Sequence, residues 1–242
     1  MKERLLEICV DDAAGLAAAI AGGADRIELC AALSVGGLTP SAGFMWLAAA
    51  APIPVHALIR PRPGDFRHGP DEVDIMRRDI AAAREAGLAG VVIGASRADG
   101  RLDEQALRAL VAEADGMAMT LHRAFDLAPD LFEALETAVG LGFRRILTSG
   151  GHRTGLEGLE NLAALAAKAG DRLSIMPGGG VRAECADRFL AISGITELHA
   201  SCSKLPDNPD PRLAEFGFIR PDSRETDVEA VRALKAVMAA HS

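Results

Sequence analysis

Two four-residue stretches hold the side chains most able to do chemistry: Leu6-Glu7-Ile8-Cys9 and, after one helix-like segment, Ile27-Glu28-Leu29-Cys30. Alternate residues of an extended strand share a face, so each stretch turns an acid and a thiol one way and its aliphatics the other. A carboxylate taken out of water beside a thiol is costly unless it pairs, binds or reacts. Thiolate sulfur is the soft donor that Cu(I) prefers, and two sulfurs on neighbouring strands, about 4.8 Å apart, could approach one ion. Cys9 and Cys30 are therefore candidate metal ligands, while Glu7 and Glu28 are candidates for acid-base work on the same face.

These residues need elements to position them, and the chain repeats one junction: a helix-like run, Gly, a few polar residues, then a short strand. It occurs at Gly23, Gly87, Gly142, Gly170 and Gly194, where the residue after a helix favours a left-handed conformation. The pattern predicts strands near 5–10, 26–30, 54–59, 90–94, 117–122, 145–149, 173–177 and 197–201. Helices fit near 12–22, 41–51, 71–86, 103–114, 129–140, 157–169, 184–192 and 226–240. Thr39-Pro40 offers an N-cap and a proline at the first helical position, and Thr226-Asp227-Val228-Glu229 reads as a capping box. Eight strand-helix units in 242 residues predict an α/β fold, a single (β/α)8 TIM barrel domain spanning 1–242. An open dinucleotide-binding sheet is disfavoured, because no GxGxxG follows the first strand.

In such a barrel the site forms at the strand C-termini, and polar residues gather there. Beyond the twin motifs they include His56 and Arg60 on and after strand 3, His122-Arg123-Ala124-Phe125-Asp126 after strand 5, and Glu197, His199 and Ser201 on strand 8. Strands 6 and 7 run into Ser149-Gly150-Gly151 and Pro177-Gly178-Gly179-Gly180, turns whose backbone N–H groups suit an anion. One reading is thus a Cu(I) site at the thiols, with Cys202 on a third adjacent strand end and Cys185 as helix packing. The other is an enzyme of lyase, isomerase or hydrolase type on a small anionic or phosphorylated substrate, with a divalent metal as a variant. There Arg60, Ser149, Gly150, Gly151, Gly178, Gly179 and Gly180 bind the anion, and Glu7, Glu28, His122, Asp126 and His199 are the catalytic candidates.

Composition narrows the classes. Net charge is −8 with no Lys/Arg run, and aromatics are 4% with no Tyr, so no nucleic-acid or anionic-membrane partner is expected. Met1-Lys2-Glu3-Arg4 enters a strand-like run directly, with no signal-peptide pattern, and no apolar stretch spans a bilayer. Four cysteines at 9, 30, 185 and 202 lack CxxC spacing and read as reduced thiols, which with the missing leader predicts a cytoplasmic protein.

At these residues the chain resembles the CutC family, described as copper homeostasis proteins. The matching blocks are Leu6-Glu7-Ile8-Cys9, Gly22-Gly23-Ala24-Asp25-Arg26-Ile27-Glu28-Leu29-Cys30, Gly36-Gly37-Leu38-Thr39-Pro40-Ser41, Ile59-Arg60-Pro61-Arg62, Gly64-Asp65-Phe66, His122-Arg123-Ala124-Phe125-Asp126, Leu147-Thr148-Ser149-Gly150 and Pro177-Gly178-Gly179-Gly180-Val181. The resemblance covers almost the whole chain and implies a β/α barrel, a cytoplasmic location, a homo-oligomer (dimer or tetramer) and Cu(I) bound through Cys9 and Cys30. Pro63 departs from the family pattern, as does the segment from Cys202 to Pro221, so no family role is carried to Cys202.

Overall fold

The computed structural model describes residues 4–207, 209–220 and 222–241. Eight parallel strands form a nearly closed barrel: β1 (Leu5–Val10), β2 (Arg26–Leu29), β3 (Val55–Leu58), β4 (Gly90–Ile93), β5 (Ala118–Leu121), β6 (Arg145–Thr148), β7 (Ser174–Pro177) and β8 (Glu197–Ala200). Ladders run in sequence from β1 to β7, and β8 pairs with β1. β7 and β8 lie side by side and complete the ring, with no ladder between them among the described residues. The helices wrap the outside: α1 (Ala13–Gly22), α2 (Ala42–Ala48), α3 (Pro70–Glu85), α4 (Glu104–Glu113), α5 (Leu131–Gly140), α6 (Leu159–Ala169) and α7 (Ala183–Leu190). All five junction glycines take positive φ, between 56° and 92°. Each strand expected from the sequence is present.

Three local features differ from the sequence expectation, each for a definable reason. Helix α2 starts from Ser41, whose hydroxyl accepts from Phe44 N at 3.2 Å, because Thr39 Oγ1 is already used by Arg60 N at 2.9 Å. The last helix starts at 228 rather than 226. Thr226 pairs with Ser203 in a small antiparallel hairpin, β9 (Ser203–Lys204) with β10 (Glu225–Thr226), so Asp227 becomes the cap. The intervening segment carries a short helix, α8 (Pro211–Glu215), ahead of α9 (Val228–Ala240). No helix among the described residues is long and apolar enough to cross a membrane.

Period-two alternation divides each strand as expected. Leu6, Ile8, Ile27, Leu29, Val91 and Ile93 are buried in the main apolar core with helix residues such as Leu16, Met76 and Leu107. The opposite face fills the barrel interior in tiers, and the upper tier holds Cys9, Cys30, Leu58 and Val92. Below it the lumen is polar, with Glu7, Arg26, His56 and Thr120 buried. That is unusual for a barrel interior, where branched aliphatics dominate.

Candidate metal centre at the barrel mouth

Strand register decides which side chains meet. Barrel stagger pairs Glu7 with Arg26 and Cys9 with Glu28 on one side of β1, and Glu7 with His199 on the other. Cys9 therefore faces a carboxylate instead of the second thiol, and Cys30 lies one step further along its strand. The ligand atoms of Cys9, Glu28 and His199 all fall within 4.8 Å of one another, and all three residues are buried.

His199 is held in place from behind. Its Nδ1–H donates to Glu7 Oε1 at 2.8 Å, which leaves Nε2 facing Glu28 Oε2 at 3.8 Å. Glu7 is anchored by the Nε of Arg26, whose Nη2 also donates to Glu197 Oε2 at 2.6 Å. Arg145 Nε completes the network with a 2.9 Å bond to the same Glu197 oxygen. Burial opposes ionisation of Glu7, but the charge of Arg26 and the hydrogen bond from His199 outweigh it and hold this carboxyl well below the usual range. Burial likewise opposes protonation of His199, yet Cys9, Glu28 and Glu7 raise its pKa well above the ordinary value. Glu28 moves up, chiefly because it is buried and secondly because Glu7 lies close, against the pull of His199.

The two thiols differ in environment. Cys9 is 7% exposed, and its Sγ–H donates to Ala200 O at 3.7 Å. Cys30 is fully enclosed and donates to Glu28 Oε2 at 3.6 Å; burial first, then the charges of Glu28 and Cys9, drive its pKa well up. Cys202, at the end of β8, has φ of 44° and a thiol pushed up to about 12, mainly by burial.

The other expected site residues lie around this centre. Asp126 faces the turn after β6: its carboxylate accepts from Ser149 N, Ser149 Oγ, Thr148 Oγ1 and Gly151 N, and pairs with Arg123 at 2.8 Å. The chain's own acid thus meets the N–H groups of Ser149 and Gly151. Gly178 N donates to Thr148 O, while Gly179 and Gly180 line a cavity of about 360 Å³ with Arg182, Arg224, Cys9 and His199. Arg60 reaches across to three carbonyls, of Val35, Gly37 and Gly64, at 2.8–3.0 Å and stacks on Phe66. His122 Nδ1 accepts from Ala124 N, its ring lies 4.8 Å from that of Phe66, and burial pushes its pKa down to about 3.

His56 in β3 and His122 just after β5 both depend on missing side chains. A Cβ on Gly94 would sit 2.3–2.9 Å from His122 ring atoms, and one on Gly90 would sit 2.7 Å from His56. Arg26, Arg145 and Phe66 were not among the site candidates. Arg26 shares period-two parity with Glu28, a sequence signal that could have found it, whereas Phe66 lies in a loop with no periodicity to read.

Fold and cluster together define a (β/α)8 barrel with a thiol, an imidazole and a carboxylate converging at its C-terminal mouth. The chain belongs to the CutC family, whose sequence model matches residues 4–204 and stops at the end of β9. It is 59% identical to a family protein CutC of Agrobacterium fabrum, over 100% of this chain and 97% of that one. A family protein CutC of Vibrio cholerae is 44% identical over 90% of this chain and 85% of its own. Among solved structures, the candidate copper homeostasis protein CutC from Streptococcus agalactiae superposes with a TM-score of 0.78 at 32% identity, covering 82% of this chain and 98% of that one. KGPDC from Streptococcus mutans, at 11% identity and a TM-score of 0.62 over 99% of each chain, shares the fold alone.

Proposed function

We propose that this protein binds one copper ion as Cu(I), with Cys9 Sγ and His199 Nε2 as the principal ligands, Glu28 beside them and the Cys30 thiol in reserve. The observation that carries the reading is the 2.8 Å bond from His199 Nδ1 to the buried Glu7. A carboxylate behind an imidazole fixes its tautomer and aims the free nitrogen outward, the arrangement found behind metal-binding histidines. Sulfur and imidazole suit Cu(I), and the copper homeostasis description of the Streptococcus agalactiae relative agrees with that choice. Four free cysteines support a reducing, cytoplasmic setting, and the exposed stack of Phe216 on Phe218 supports self-association.

Titration of the reduced protein against a Cu(I)-selective chelator tests the reading. One equivalent is expected to bind. Cys9→Ser should weaken it at least ~100-fold, and Glu7→Gln about 10- to 100-fold through loss of the ligand's support. The same titration with Zn(II), which also accepts Cys, His and carboxylate, should give weaker binding. Wild-type Cu(I) affinity in both Cys9→Ser and His199→Ala would refute the site.

A further inference from the structure

Two arginines are buried in this barrel, and they are treated differently. Arg26 has two carboxylates, Glu7 and Glu197. Arg60, only 6% exposed, touches three neutral carbonyls and the face of Phe66, and among the described residues it has no acidic partner. Its pKa is lowered first by burial and then by the neighbouring cation Arg62. A guanidinium does not shed its proton in a protein, so this is a buried positive charge with no counter-ion among the described residues. Its Nε–H is also without an acceptor.

A second unpaired donor stands beside it. His122 is 5% exposed and uses Nδ1 as an acceptor for Ala124 N, so the proton of the neutral ring sits on Nε2, which has no partner. Arg60 and His122 both contact Phe66, the guanidinium 5.0 Å from the ring centroid and the imidazole 4.8 Å from it in a tilted arrangement. Both form the wall of a cavity of about 240 Å³, which extends to Cys9, Glu28, His199, Ser201 and the Asp126-paired Arg123, its apolar wall being Leu33, Leu58, Phe66 and Leu147.

We propose that this cavity is a binding site for a small carboxylate with an apolar body, its charged head toward Arg60 and His122 and its tail against the leucines. The ligand class follows from the wall: one uncompensated cation and one neutral N–H call for an anionic acceptor, while the leucines exclude a polyhydroxylated or multiply charged body. A cavity of this size is smaller than a drug-sized site and suits a short-chain acid. The proposal goes beyond copper binding and does not depend on it, since neither Arg60 nor His122 belongs to the Cys9, Glu28 and His199 cluster.

The test uses metal-free, reduced full-length protein and saturation-transfer NMR with calorimetry. Acetate, butyrate and hexanoate are titrated alongside butyramide, the uncharged isostere of butyrate. Saturable binding is expected, with butyrate tighter than acetate and at least tenfold tighter than butyramide. Arg60→Gln should remove the preference for butyrate over the amide. Because Arg60 also ties loops to one another, Leu33→Trp provides a second variant that fills the cavity from its rim and leaves Arg60 intact, and it should abolish binding. Glu7→Gln, outside this cavity, should leave carboxylate affinity within twofold while it weakens copper binding, so the two proposals fail separately. Butyramide binding as tightly as butyrate, no saturable binding by any of the three acids, or unchanged binding in Leu33→Trp would each overturn the proposal.

Discussion

The two sides of the barrel mouth handle buried polarity in opposite ways. On the β8–β1–β2 side, Glu197, Arg26, Glu7 and His199 form a chain in which each charge meets an opposite one. On the β3–β4–β5 side, His56 and His122 are held neutral, both pushed down to about 3 by burial, and Arg60 meets carbonyls with no acidic partner among the described residues. The contrast separates polarity that positions from polarity that waits. A fully satisfied network locks its rotamers and can aim a ligand atom, as Glu7 does for His199, whereas unpaired donors are tolerable only where a ligand or water completes them.

The largest effect should come from breaking the satisfied side. Arg26→Met leaves Glu7 and Glu197 short of their shared cation and should cost about 3–5 kcal/mol, measured by urea unfolding. A loss below about 1 kcal/mol would mean that the network is no tighter than surface pairing.

Next comes pH, where the two sides have opposite signs. His56 and His122 have folded pKa values near 3, below the unfolded value of about 6.5, so the unfolded chain binds more protons between these limits. Their contribution is complete above pH 6.5 and is lost as pH falls, on the order of 3 kcal/mol for the pair between pH 6.5 and 5. His199 is raised, so its contribution is complete below the unfolded pKa and fades as pH rises through the folded one. His122→Gln should roughly halve the acid-side loss in unfolding experiments at stepped pH, while an unchanged slope would contradict a neutral buried ring.

A smaller effect tests the packing of the unpaired side. Gly94→Ala places a methyl against the His122 ring and should cost about 1–3 kcal/mol, as overpacking does. Copper affinity on the other side should stay within twofold. Were copper lost instead, the two halves of the mouth would be mechanically coupled.

Much of this was legible from residue order. Period-two alternation placed Glu7, Cys9, Glu28, His56 and His199 in the lumen, and the helix-glycine-strand junctions counted out eight units correctly. Register was not legible. No local pattern says that Cys9 lies opposite Glu28, because stagger between barrel strands is set by closure of the whole ring. For the same reason a distance between Cys9 and Cys30 could not be read from their twin motifs. Helix starts shifted where a residue was claimed elsewhere: the Thr39 hydroxyl by Arg60 N, and the Thr226 backbone by the β9–β10 pairing. The neighbours of Arg60 come from three separate loop positions, 35, 37 and 64, and no spacing rule links them.

One further consequence concerns the turn after β6. Asp126 is tethered to the N–H groups of Ser149 and Gly151, so it competes there as an intramolecular ligand with an effective concentration of about millimolar or more. A free phosphate would have to displace this resident acid and overcome its charge before touching the backbone. The turn behaves as a lock supplied with its own blank key: its donors are met from within the chain by an acid that a phosphate would have to outcompete, whereas Arg60 and His122 still offer theirs.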